Sequence, residues 1–72
     1  MDKDALRTLI KLTDGNINSE VRMEAVKALG QYRDDAEVAR ALASLTDGNI
    51  KHEIRIAAVK ALGGEFDPDR FD

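Results

Sequence analysis

The chain has 72 residues, no cysteine, one histidine and a net charge of −3, from 11 basic and 14 acidic side chains. That length bounds it to one small domain whose core is marginal unless its packing is very regular. The missing thiols exclude disulfides and thiolate metal sites. An acidic balance speaks against a dedicated nucleic-acid binder, and three aromatics are too few for a base-stacking platform. No apolar run approaches the ~20 residues of a membrane span, so a cytoplasmic protein is expected, with no nucleic-acid or membrane partner.

From the N-terminus, Ala5, Leu6, Leu9, Ile10 and Leu12 recur at helical spacing and predict a first amphipathic helix. Thr13-Asp14-Gly15-Asn16 breaks it. Gly15 suits the left-handed position past a helix end, and Asn16 an N-cap. Ile17, Val21, Ala25, Ala28 and Leu29 then form one continuous stripe on a second helix, which Gly30 stops. Its outward side carries Glu20, Met23, Glu24 and Lys27. The scheme begins again with Ala36, Ala39, Leu42 and Leu45 on a third helix and Gly48-Asn49 in its turn. Ile50, Ile54, Ala58, Ala61 and Leu62 line a fourth, with Glu53, Ile56, Ala57 and Lys60 outward and Gly63-Gly64 as its stop.

The recurrence has a fixed step. Shifted by 33 residues, LTDGNINSEVRMEAVKALG (12–30) lies over LTDGNIKHEIRIAAVKALG (45–63) with 14 of 19 positions identical. Residues 1–11 match 34–44 only at Asp2/Asp35, Arg7/Arg40 and Leu9/Leu42. A period of this size marks a stacked-repeat architecture. We expect one domain over residues 1–66, with repeat 1 at 1–33 and repeat 2 at 34–66. Residues 67–72 are a C-terminal tail or the truncated start of a third repeat, since Asp67-Pro68 aligns with Asp34-Asp35. Three readings of that end stand open: the chain is cut from a longer array, Phe66 and Phe71 fold back over the open edge, or that edge pairs with another copy in a symmetric dimer.

The doubled LTDGNI invites comparison with a calcium loop. With Gly15 at position 6 of such a loop, positions 1, 3 and 12 are Ile10, Leu12 and Val21; the second copy places Ala43, Leu45 and Ile54 there. Apolar side chains cannot ligate a hard cation, so the segment reads as a helix–helix turn. His52 has no second histidine or cysteine with which to build a nucleophilic centre, and Ser19 and Ser44 lack a general base. No catalytic residue, metal or cofactor is expected. At about 100° per residue, Arg22 and Arg55 fall at the edge of the buried stripe, so each must find a carboxylate or a free carbonyl at a helix end.

EVRMEAVKALG (20–30) and EIRIAAVKALG (53–63) resemble the second helix of a HEAT repeat, especially the phycobilisome-lyase-like variety. The shared pattern is an acidic residue, Val, Arg, a gap, Ala, then Ala-Leu-Gly, and the resemblance covers residues 2–64. It implies an all-α fold, a minimal α-solenoid of two HEAT-like helical hairpins with four helices. It also implies a structural ladder in which Arg22 and Arg55 meet Asp14 and Asp47. The second helices would line a concave binding face, making Met23, Lys27, Ile56 and Lys60 the candidate partner-binding residues. The expected function is a non-catalytic protein–protein interaction or scaffolding module, acting on a protein partner and able to form a homo-oligomer. The alternatives are an accessory subunit of a phycobilin lyase-type complex and an excised or designed repeat fragment.

Overall fold

A computed structural model describes residues 1–68; Phe71 and the rest of any third-repeat start lie outside the described residues. Four helices follow one another, α1 (Lys3–Lys11), α2 (Ser19–Gly30), α3 (Ala36–Ser44) and α4 (His52–Leu62), with no strand among the described residues. Each 33-residue unit is an antiparallel hairpin, α1 on α2 and α3 on α4. The hairpins stack so that α2 and α4 form one layer and α1 and α3 the other, with the α2–α4 contact the most extensive. The all-α two-hairpin solenoid expected from the period is what forms.

The turns explain the doubled hexapeptide. The carboxylate of Asp14 accepts the N–H of Asn16 at 2.9 Å, and that of Asp47 accepts the N–H of Asn49 at 3.0 Å. Ile17 N–H then donates to the Asp14 carbonyl and Ile50 N–H to that of Asp47, each at 3.0 Å. An aspartate that hydrogen-bonds its own backbone two residues on makes the turn without a left-handed residue. Gly15 and Gly48 accordingly do not take positive φ; among the described residues only Gly64 does, at 86°. Asn16 is not the N-cap either. Asn18 is, its side chain accepting from Glu20 N–H at 2.8 Å. Unit 2 has Lys51 in that place, and it makes no side-chain cap. Ile17 and Ile50 sit half-buried in the turns rather than on the helices.

Equivalent positions in the two units show which side of each helix has a neighbour. Val21 is 43% exposed, whereas its counterpart Ile54 is fully buried. Val26 is fully buried, whereas Val59 is 59% exposed. The reversal means that α2 covers unit 2 with its Val26 side and that α4 receives it with its Ile54 side. Val21 and Val59 are left on the two bare ends of the stack. The expected stripe is corrected accordingly: Val21 and Leu62 are exposed, and Val26 joins Leu29, Leu42 and Ile54 in the core. On α3, Ala36 is exposed and Val38 is buried. Ala57, read as outward, is buried in the seam, while its counterpart Glu24 is exposed. Packing therefore accounts for that difference between the copies, since a glutamate at 57 would lie unsolvated.

Gly30 fixes how closely the hairpins approach. A Cβ there would stand 3.1 Å from that of Ala61 and 3.3 Å from its Cα. Small residues at the crossing let the two backbones lie near each other, and Val26, Leu29 and Ile54 close over the contact.

Across the other layer, α1 and α3 are tied by charge. Lys3 Nζ lies 2.6 Å from Asp35 Oδ2, and Arg7 makes a two-pronged pair with Glu37, Nε–Oε2 at 3.2 Å and Nη2–Oε1 at 3.0 Å. Asp35 is also the N-cap of α3, accepting from the N–H groups of Glu37 and Val38. The hydrogen bond from Lys3 and those backbone donors hold the Asp35 carboxyl below its ordinary range. Arg7 does the same for Glu37, and both cations are raised in return. A carboxylate whose pKa is depressed by folding adds stability above its unfolded pKa and loses it as pH falls through the folded value. The melting temperature of the parent is therefore expected to drop from about pH 6 to about pH 3 more than that of Asp35→Asn/Glu37→Gln. Parallel profiles in thermal melts would contradict this.

Candidate protein-binding face

The groove between α2 and α4 gathers the four candidate residues. Met23 and Lys27 come from α2 and Ile56 and Lys60 from α4, with Glu53 and Phe66 completing the walls. Helical spacing places Met23 and Lys27 one turn apart, and the 33-residue step sets Ile56 and Lys60 beside them. Met23 is half-buried against the core and Ile56 is exposed. Lys27 Nζ is held 3.3 Å from Glu24 Oε2 one turn back, which keeps its charge at the groove's rim.

Phe66 is the residue that periodicity misses. It occupies the position equivalent to Arg33, so the repeat predicts no aromatic there. The signal lies in Gly64, which replaces Gln31 of the first unit. Gly64 N–H donates to the Ala61 carbonyl at 3.2 Å and Glu65 N–H to the Lys60 carbonyl at 2.9 Å. This pair of bonds around a left-handed glycine is a Schellman cap, and it turns the chain back along the groove. Arg33 secures the return, its Nη1 lying 3.4 Å from both the Gly30 carbonyl and Asp67 Oδ2. Phe66 therefore packs beside Gly30 and lines the groove. It does not cover the open edge, where Val59 and Leu62 stay exposed.

The expected ladder takes a different form. Arg22 is buried, and its Nε donates to the Thr13 carbonyl at 3.0 Å, the free carbonyl at the end of α1. Asp14 is not the acceptor of that bond; its carboxylate accepts from Asn16 N–H inside the turn. Asp47 is engaged likewise with Asn49. Arg55 occupies the same place in unit 2, but its Nε is buried with no hydrogen-bond partner. The surroundings differ: Arg22 lines a cleft with Leu45, Asn49 and Ile50 of the following unit, whereas among the described residues the cleft at Arg55 is lined by unit 2 alone.

No helix among the described residues is long and apolar enough to cross a membrane. Comparison with curated proteins and with solved structures yields no match. The family model of HEAT repeats, by contrast, matches residues 1–63, both hairpins and both arginine-bearing second helices. A match of that extent over two stacked helical hairpins places the chain in the HEAT-repeat family.

Proposed function

We propose that the chain is a non-catalytic protein-interaction module of the cytoplasm that holds its partner in the α2–α4 groove. The observation that carries this reading is the groove itself. Apolar Met23, Ile56 and Phe66 are flanked by the ammonium groups of Lys27 and Lys60. Such a surface fits a protein segment that offers an aliphatic or aromatic anchor next to carboxylates. The anchor exchanges water for the apolar floor, and the lysines set orientation and encounter rate more than affinity. The role given to Arg22 is architectural: it ties the second helix to the end of the first and so holds Met23 and Lys27 in place.

The likeness of the two second helices to the phycobilisome-lyase-like variety supports a related second reading. On it, the segment bound belongs to an enzyme subunit and the module is an accessory. Both readings use the same groove, and a lyase activity that rises on adding this chain would single out the second.

Peptides selected from a displayed library on the parent protein should pair a large apolar residue with Asp or Glu. Lys27→Glu combined with Phe66→Ser should abolish their binding while helicity is kept. Peptides that bind both proteins alike would place the interaction on another face.

A further inference from the structure

The two bare ends of the stack are the two halves of the seam that closes its middle. Inside the molecule, the trailing side of unit 1 (Arg22, Val26, Leu29) meets the leading side of unit 2 (Leu42, Leu45, Ile54), and all six are buried. The 33-residue step reproduces the first set as Arg55, Val59 and Leu62 at the trailing end. It reproduces the second as Leu9, Leu12 and Val21, which line an open groove at the leading end. We infer that copies of this chain associate head to tail, the trailing end of one seated on the leading end of the next, in the geometry that already joins unit 2 to unit 1.

Two further observations point the same way. Arg55 Nε is buried without a partner, whereas Arg22 Nε, enclosed by a following unit, bonds the Thr13 carbonyl. A unit seated on the trailing end would enclose Arg55 against Thr46, the equivalent of Thr13, and relieve a buried donor whose isolation is costly. The charges are also complementary. Glu20 and Glu24 line the groove at the leading end, and Arg55 and Lys60 the one at the trailing end. The internal pair of Arg7 with Glu37 translates, one step on, into Arg40 of one copy with Asp4 of the next.

Glu24 is the one misfit, because it stands where the internal seam has buried Ala57. Lys27 and Ala57 line one groove, so the same step sets Lys60 against Glu24 and supplies its counter-charge. A contact carrying this pair is weaker than the internal seam and sensitive to salt. Two trailing ends, both basic, repel, so the symmetric pairing suggested by an open edge is disfavoured. A head-to-tail contact leaves one free leading end and one free trailing end on every assembly, and because solenoid stacking does not close on itself at this length it grows into an open chain.

Light scattering across a wide concentration range tests this. The weight-average mass should climb past that of two 7.9 kDa chains without levelling off, and fall back on adding salt. Val59→Asp and Val21→Asp, both at exposed positions, should each be monomeric with the helicity of the parent. Mixed together they should form a one-to-one pair and stop, because one retains the leading end and the other the trailing end. A parent that stays monomeric overturns the proposal. So does one that levels off at two chains, and so does a mixture of the two variants that fails to pair. Lys60 is shared with the α2–α4 groove, but Val21 and Val59 lie outside it, so failure of the Val21 and Val59 test leaves the peptide-binding reading standing, and the reverse also holds.

Discussion

Ile54→Ala is expected to cost about 2–5 kcal/mol, while Val21→Ala at the matching position of the first unit should stay within about 0.5 kcal/mol. The two residues occupy the same place in the repeat and differ by one methylene. Only Ile54 is enclosed, fully buried among Val26, Leu29 and Ala58 in the seam between hairpins. Truncating it removes transfer free energy and leaves a cavity that rigid helices cannot fill by collapsing. Small domains have little stability in reserve, so the variant is expected to be largely unfolded at ambient temperature. Urea titrations followed by circular dichroism measure both changes. Similar midpoints for the two variants would mean that the hairpins are not stacked in this order.

The two arginines should part company in the same way. Arg22→Ala strips the Thr13 carbonyl of its donor and empties a buried site, which is expected to destabilise by about 1–3 kcal/mol. Arg55→Ala removes a side chain whose buried Nε has no acceptor. Relief of that unpaired donor offsets the packing lost, and the net change should stay within about 0.5 kcal/mol. Dilute samples are required, so that no neighbouring copy covers Arg55. An equal loss in both variants would show that Arg55 has found an acceptor in solution, and that the difference between the two positions is not set by the missing neighbour.

Much of this architecture is legible in the residues. The 33-residue echo fixes two hairpins and their helix order, because side-chain periodicity and a repeated turn are local properties. What lies between units is not local. Val26 and Val59 are the same residue in nearly the same sequence surroundings, yet one is sealed and the other bare. No periodicity distinguishes a helix side that has a neighbour from one that lacks it. The Asp14–Arg22 contact fails for a related reason. The spacing of the two residues does not show that the Asp14 carboxylate turns onto Asn16 N–H, nor that the end of α1 brings the Thr13 carbonyl to Arg22. Within the candidate groove, the four residues taken from the second helices do come together. Phe66 escapes because its position depends on a single left-handed glycine after α4, a change of chain direction that the repeat itself does not contain.

The one seam also governs how the molecule comes apart. Val26, Leu29 and Ile54 are kept dry only while both hairpins are present, so a chain with one hairpin ordered has gained little and lost backbone freedom. Long repeat arrays can melt from their ends inward, one unit at a time. A pair of units has no interior to retreat to, and heat or denaturant should take these two hairpins from order to coil in one cooperative step.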